Sequence, residues 1–337
     1  EYVCTPHIPN GMIGEFTVIN GANTQTYVPD DNFENYLEAN GMGDGVALNN
    51  FVTTANINTV TYLNLSGIGS GVGISDLTGI EDFTALYNLK CQNNNITSLD
   101  LSNNTALTYL HCGDNQITTL DVSQNPALIY LYCGDNQLTT LDVSQNTALT
   151  NLNCGDNELI DIYLSNAITY LACTDNNLTS LNLSNNTALN SLHCSENQLT
   201  TLDVSQNTNL DTLTLYDNQL TILDISNNTD LKFLDCYYNL LATLDVRNGS
   251  NTLFSDFDCG NNPNLTCINV DNSNWSTNNW TNIDPQHYFS NNCSSVAIDC
   301  TDSLQVTDVI IDNTNLTMNI AIYNGYNSFL NYPHVAF

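Results

Sequence analysis

The stretch Leu107-Thr-Tyr-Leu110-His-Cys112-Gly-Asp-Asn115-Gln-Ile117-Thr-Thr-Leu120-Asp-Val122-Ser-Gln-Asn125 decides the fold, because its neighbours restate it with few changes. Cysteines recur at 91, 112, 133, 154, 173, 194, 236 and 259, most of them 21 residues apart. A fixed period near twenty residues means stacked coils, each touching only the coil on either side. Every unit has two similar halves, Leu-x-x-Leu-x-Cys-x-x-Asn and Ile/Leu-x-x-Leu-Asp-Val-Ser-x-Asn. Both alternate in the manner of a short strand buried on one side. The pattern predicts a mostly β solenoid with two short parallel strands per coil and little or no helix.

The marker slot explains itself. Leu215 fills it between Cys194 and Cys236, and a slot that accepts Leu or Cys is a core slot. The eight cysteines are therefore expected as buried, reduced thiols. No His or second Cys lies at zinc-ligand spacing around them. Three residues after the marker comes an asparagine every time, from Asn94 and Asn115 to Asn262. A second column comprises Asn104, Asn125, Asn146, Asn186, Asn207 and Asn228. An amide carries donors and acceptors, so stacked Asn side chains can satisfy backbone groups where the chain turns out of a strand.

Five segments are expected: a lead-in at 1–27, a cap helix with degenerate repeats at 28–85, regular coils at 86–262, a C-terminal cap at 263–300, and at 301–337 the start of an immunoglobulin-like β segment, a partial β-sandwich. The first cap should contain a helix over 30–41, capped by Asp30 or Asp31, burying Phe33, Tyr36 and Leu37 and ended by Gly41. After 301, Leu304, Val306, Val309 and Ile311, then Leu316, Met318, Ile320 and Ile322, read as two alternating strands. Two departures from the repeat stand out. The coil ending at Cys173 is two residues short, and the coil before Cys259 is two residues long.

Composition narrows the partners. Thirty-five acids oppose only Lys90, Lys232 and Arg247, for a net charge of −32. Such a surface repels phosphate backbones, which argues against nucleic acid. No apolar run is long enough to span a membrane. The start at Glu1, without a methionine or signal sequence, fits a processed secreted protein.

Leu-x-x-Leu-x-Cys-x-x-Asn-x-Leu is the leucine-rich-repeat signature. The version Leu-Thr-x-Leu-Asp-Val-Ser-x-Asn-Thr-Ala-Leu resembles the repeats of secreted surface proteins from Bacteroidota bacteria. Val28-Pro-Asp-Asp-Asn-Phe33 resembles that family's N-terminal cap. Asn262-Pro-Asn-Leu-Thr-Cys267, Asn279-Trp280-Thr-Asn-Ile-Asp284 and Cys293 resemble its C-terminal cap. The resemblance covers roughly residues 28–293. It implies a leucine-rich-repeat solenoid, location outside the cell or on its surface, a binding role without catalysis, and a disulfide between Cys267 and Cys293.

The first strand of each coil should turn its odd positions outward. That places Tyr109, His111, Tyr130, Tyr132, Tyr170, His193, Tyr216, Phe233, Tyr237 and Tyr238 on one surface. Two readings stand: a recognition face, since Tyr is favoured where a surface binds, or cross-strand stacking that steadies the sheet. Beside it runs an acid column, Asp114, Asp135, Asp156, Asp175, Glu196 and Asp217. On the other strand lie Asp100, Asp121, Asp142, Asp203, Asp224 and Asp245, interrupted by Tyr163 and Asn182. The first column offers hard oxygen ligands for calcium; the alternative is a solvated face with diffuse counterions. No cofactor is otherwise expected. His111 and His193 stand four coils apart, so they cannot share a metal or a substrate atom.

The expected function is adhesion or binding of an extracellular protein or glycan through the aromatic and acidic strand face. The alternative is a fibre subunit. Cys4 and Cys300 are too far apart for a bridge within one chain and are left as intermolecular candidates, and the strands after 301 invite completion by a partner.

Overall fold

The computed structural model describes residues 24–67 and 73–293, together with the backbone of three strands beyond residue 300. Cys4, Cys300, His7 and His334 lie outside the described residues. The chain divides into two compact units, Glu1–Asn291 and Asn292–Phe337.

The first unit is built on a ten-stranded parallel sheet running from Tyr62–Asn64 to Asp256–Asp258, one three-residue strand per coil. Three-residue strands follow from the motif: the Leu and the marker slot point in, and the turn Asn comes three residues after the marker. Register is kept coil by coil, Leu110 opposite Leu131 and Leu131 opposite Leu152. One slot in the motif thus becomes one line of side chains. The marker thiols are fully buried and free. Burial pushes Cys112 and Cys173 up to about 12, so they act as small apolar side chains.

The second strand of the coil forms only in part. Thr140–Asp142 pairs with Asp161–Tyr163, and Ile222–Asp224, Thr243–Asp245, Cys267–Asn269 and Tyr288–Ser290 make a four-stranded parallel sheet. At 99–101, 120–122, 181–183 and 202–204 the same slots are extended without strand pairing. There the first leucine is slightly open, as at Leu120 (8%) and Leu202 (9%), whereas Leu141 and Leu223 in paired segments are at 1%.

Asparagines tie the coils together. Asn115 Nδ2 donates to the carbonyls of Cys112 and Gly113 in its own turn and of Cys91 in the preceding coil, each at 3.0 Å. Its Oδ1 accepts from Ile96 N at 3.0 Å. Asn136, Asn157, Asn176, Asn197, Asn218, Asn239 and Asn262 repeat the arrangement. The second column is also buried and donates backwards, Asn125 to Leu101 O and Asn104 O at 3.1 and 2.9 Å. Here the Oδ1 atoms of Asn104, Asn125, Asn146, Asn207 and Asn228 have no partner. In the short coil Ser165 replaces the asparagine: its carbonyl accepts from Asn186 Nδ2 at 2.7 Å and its hydroxyl donates to Leu149 O at 3.4 Å. In the long coil Asn248 and Asn251 share the task.

Among the described residues α-helices occur only in the caps, with single 3-10 turns at Ile80–Asp82 and, in the long coil, at Asn251–Leu253. α1 (Asp31–Ala39) starts at Asp30, whose Oδ1 accepts from Asn32 N and Phe33 N at 3.0 Å; Gly41 beyond the helix has φ 74. Asp30 Oδ2 accepts from Ser75 N and Ser75 Oγ at 2.8 Å, fastening the helix to the first coils. Phe33 and Leu37 are buried as expected. Glu34 is buried too, its carboxylate accepting from Asn49 N and Asn50 N at 2.8 and 2.9 Å. α2 (Thr54–Ile57) follows an antiparallel pairing of Gln25–Tyr27 with Phe51–Thr53. At the other end α3 (Ser273–Asn279) is capped by Asn272, and Trp280 stacks on Phe257 at 4.1 Å between centroids. Cys267 and Cys293 are each disulfide-bonded.

In the second unit Gln305–Asp312 pairs antiparallel with Thr317–Tyr323, and Val335–Ala336 adds a third strand. The two-strand expectation therefore falls one strand short. Among the described residues no helix is long and apolar enough to cross a membrane.

Two outcomes follow from this packing. Asn136→Ala orphans buried backbone groups in two coils and should cost about 2–4 kcal/mol, read from urea unfolding; a loss below 1 kcal/mol contradicts the bridging role. Iodoacetamide should leave the eight marker thiols unmodified in the native chain and alkylate them in denaturant. Mass mapping that finds any of them labelled natively overturns their burial.

Candidate functional site: the outward face of the parallel sheet

The two outward positions of each strand form two columns along the sheet. Between the strands at 88–90 and 212–214 neither column contains a carboxylate; the first acids there are Asp235, Asp256 and Asp258. In a chain of net charge −32 this leaves a long uncharged strip, with Lys90 its only formal cation at neutral pH.

Tyrosines concentrate at the N-terminal part of this strip. Tyr109 pairs in register with Tyr130, and His111 with Tyr132. The ring centroids lie 5.9 Å apart for Tyr109 and Tyr130, 5.7 Å for Tyr109 and Tyr132, and 5.4 Å for His111 and Tyr132. Lys90 Nζ sits 5.4 Å from the centre of the Tyr109 ring. One coil of amides, Asn151 and Asn153, then separates this group from Tyr170. Tyr170 stacks on His193 at 5.5 Å. The expected stripe is therefore a cluster of four rings, a gap of one coil, and a pair.

Hydrogen bonding divides the expected residues further. The phenol hydroxyls of Tyr109, Tyr130, Tyr132 and Tyr170 make no hydrogen bond to another described residue, whereas Tyr216 OH donates to Glu196 Oε1 at 2.8 Å and Tyr237 OH accepts from Asn261 Nδ2 at 2.5 Å. Burial raises the phenol pKa of Tyr109 and Tyr132, so both keep their proton at neutral pH and can donate. Tyr216 and Tyr237 do not lie on the strand: they follow Leu215 and Cys236, in the turn slot held elsewhere by Gly113 and Gly134. Tyr238 follows Tyr237 in that turn. Phe233 does lie on the strand, but between Thr212 and Asp256. His193 is committed within the protein, Nε2 to Ser191 Oγ and Nδ1 to Thr214 Oγ1, both at 3.0 Å. Burial lowers the pKa of His111 and His193, and the Lys90 charge adds to the effect at His111, so both rings are neutral at pH 7.

The first acid column has a backbone origin. Asp114, Asp135, Asp156, Asp175, Glu196 and Asp217 all have φ between 51 and 53, as does Asn261 at 51; Asn93 and Tyr238 occupy the slot at 58. A left-handed residue costs about 1–2 kcal/mol for most L side chains and least for Asn and Asp. The second column has another local cause. Asp121 Oδ1 accepts from Ser123 N at 2.9 Å, and Asp100, Asp142, Asp203 and Asp224 do likewise with the serine two residues on. Among the described residues no group of three or more His, Cys, Asp or Glu is placed to hold a metal ion.

A cluster that the repeat pattern hides lies under the C-terminal cap. His287 is buried, its Nδ1 3.9 Å from Cys259 Sγ and accepting from Asp284 N at 3.1 Å, its Nε2 3.2 Å from Asn262 O. The Cys259 thiol is held well above its usual range by burial first and by the neighbouring Cys236, Asp258 and Asp284. A suppressed thiolate is the opposite of an activated nucleophile; the cluster joins the last coil to the cap.

Asp135 and Asp156 of the first column and Asp100 and Asp121 of the second should respond oppositely to pH. Burial raises Asp135 and Asp156, with the charges of neighbouring acids adding to it; stability from their neutral forms is present below the unfolded pKa near 3.8 and lost as pH rises through the higher folded value. Backbone hydrogen bonds lower Asp100 and Asp121; their contribution is present above 3.8 and lost as pH falls through the lower folded value. Asp135→Asn should therefore stabilise at pH 7 by about half a kcal/mol or less, and the gain should vanish in acid. Asp135→Val should destabilise at every pH by about 1–2 kcal/mol. Thermal melts from pH 3 to pH 7 check this, and a destabilising Asp135→Asn at pH 7 contradicts it.

No protein-family model matches the chain, and no curated protein matches it. Solved structures do. The functional domain of InlJ from Listeria monocytogenes, described as including a cysteine ladder, is 37% identical over 75% of this chain and 59% of that one, with a TM-score of 0.65. YopM, a leucine-rich effector protein from Yersinia pestis, is 20% identical over 63% of this chain and 67% of that one, with a TM-score of 0.50, a likeness of fold alone. This chain spans 59% of the length of the InlJ chain it matches. The fold is a leucine-rich-repeat solenoid, and its file of buried free thiols matches the ladder described for InlJ.

Proposed function

We propose that this chain is a non-enzymatic leucine-rich-repeat recognition module, acting outside the cell or on its surface. Its binding face is the sheet around Tyr109, Tyr130, Tyr132 and Tyr170. The observation that carries this reading is the gathering of Tyr109, Tyr130, Tyr132 and Tyr170, with Asn151 and Asn153 among them, on strands whose outward positions hold no acid in a chain of net charge −32. Stacking alone accounts for the rings touching. It does not account for acids being absent from these positions while they fill the turn slot beside them.

The similarity to the functional domain of InlJ supports a binding role. The disulfide-bonded Cys267 and Cys293 support an oxidising compartment; we take them as each other's partners. The first acid column belongs to the turns and the second to the other strand of the coil; both favour solubility, and calcium is not needed to explain them.

The test is a triple variant, Tyr130→Ser with Tyr132→Ser and Tyr170→Ser, beside Tyr163→Ser on the other strand of the coil, where the ring is 57% exposed. Flow cytometry of the labelled protein on bacterial and eukaryotic cells should show binding by the wild type and by Tyr163→Ser, and loss of at least about tenfold in the triple variant. Circular dichroism should be unchanged. Undiminished binding by the folded triple variant overturns the face.

A further inference from the structure

We infer that the ligand of this face is an uncharged glycan, with sugar rings packed on Tyr109, Tyr130 and Tyr132 and sugar hydroxyls bonded to the phenols and to Asn151 and Asn153. The inference rests on the recognition reading above and names its ligand class.

Charge is the first argument. An anionic ligand approaches a chain of net charge −32 against repulsion. A cationic one finds its counter-charges in the two acid columns, not on the strip between 88 and 214, where no carboxylate faces outward. The one formal charge of the strip is Lys90 at its edge, 5.4 Å from the centre of the Tyr109 ring; from the strand at 109–111 to that at 212–214 the outward positions hold no formal charge at neutral pH, and a ligand matched to them carries none.

The second argument is the hydrogen-bonding inventory. A sugar hydroxyl both donates and accepts, and it is best met by groups that do the same. Phenols and side-chain amides have that property. The strip offers them in place of the aliphatic side chains that form the dry centre of a protein interface; the only aliphatic residue among its outward positions is Ala172, which is buried. The rings supply the complementary feature, an apolar face for the C–H side of a sugar and a polar tip beyond it.

Preorganisation is the third. Asn151 Oδ1 accepts from Thr150 Oγ1 at 2.8 Å, and Asn153 Oδ1 accepts from Gly155 N at 3.1 Å. Each amide is thereby oriented by its own neighbour, and neither Nδ2 makes a hydrogen bond to another described residue. One held donor, on Asn151, stands in register between Tyr130 and Tyr170, and the other, on Asn153, between Tyr132 and Ala172. Beyond Tyr170 the supply ends, because His193 has both ring nitrogens engaged.

The experiment uses the whole chain in native gels containing a neutral β-glucan, mannan or galactan, with the polyanion alginate alongside. It also measures cell binding before and after mild periodate, which cleaves sugar diols. At least one neutral polysaccharide should retard the protein, equally at low and high salt. Tyr132→Ala should weaken that binding by about tenfold, and Tyr132→Phe, which keeps the ring, by less. Periodate should abolish cell binding by the wild type. Retardation by alginate alone, or tyrosine-dependent cell binding that survives periodate, overturns the glycan assignment and leaves the recognition face standing with a protein ligand. Cell binding that ignores the tyrosines fails the face itself.

Discussion

Everything in this solenoid depends on one amide per coil that bonds in two directions. A coil of about twenty residues has no regular structure at its corners, so its turn carbonyls and amides would be buried without partners. The asparagine after each marker thiol supplies a donor to its own turn and to the turn before, and an acceptor for the backbone of the preceding coil. A hydrogen bond of this kind adds only about 1 kcal/mol net, but leaving the groups unmet costs more. Because each asparagine reaches across a coil boundary, it also fixes how one coil sits on the next. The straight lines of leucines, thiols and tyrosines are consequences of that spacing.

The face and the acid column beside it have different origins within the same coil. The strand ends, the chain passes through a left-handed residue, and Asp or Asn is the side chain that tolerates that conformation best. Repetition turns a local preference into a file of negative charge. The outward strand positions are under no such demand, since an extended backbone accepts nearly any side chain. What stands there between the strands at 88–90 and 212–214, mostly tyrosines, amides and hydroxyls with no acid, therefore carries more information about use than the conspicuous acids beside it.

Much of this was legible from residue spacing. The substitution of Leu215 for cysteine marked the core slot, and Asp30 before Phe33 and Leu37 marked the capping helix. What escaped was whatever depends on geometry across coils. The local pattern of the second strand is the same throughout, yet strand pairing appears at 140–142 and not at 120–122. Tyr216 and Tyr237 looked like strand residues because they neighbour the marker, when the slot after it is already the turn. Glu34 reads as the polar face of a helix, but two backbone amides from a loop fifteen residues away draw it inside. Nothing in periodicity distinguishes a free phenol from one bonded to Glu196.

The two irregular coils have a consequence for assembly. A stack of interchangeable units is nearly degenerate: a segment docked one unit out of step would satisfy almost all the same contacts, and repeat proteins misassemble in this manner. The coil shortened at Ser165 and the one lengthened through Asn248 and Asn251 are landmarks that a slipped arrangement cannot match. Ser165 presents a short hydroxyl where an asparagine would present an amide, and the loop at 248–251 is two residues longer than its counterparts. The imperfections of the repeat thus give the chain an unambiguous numbering of its own floors.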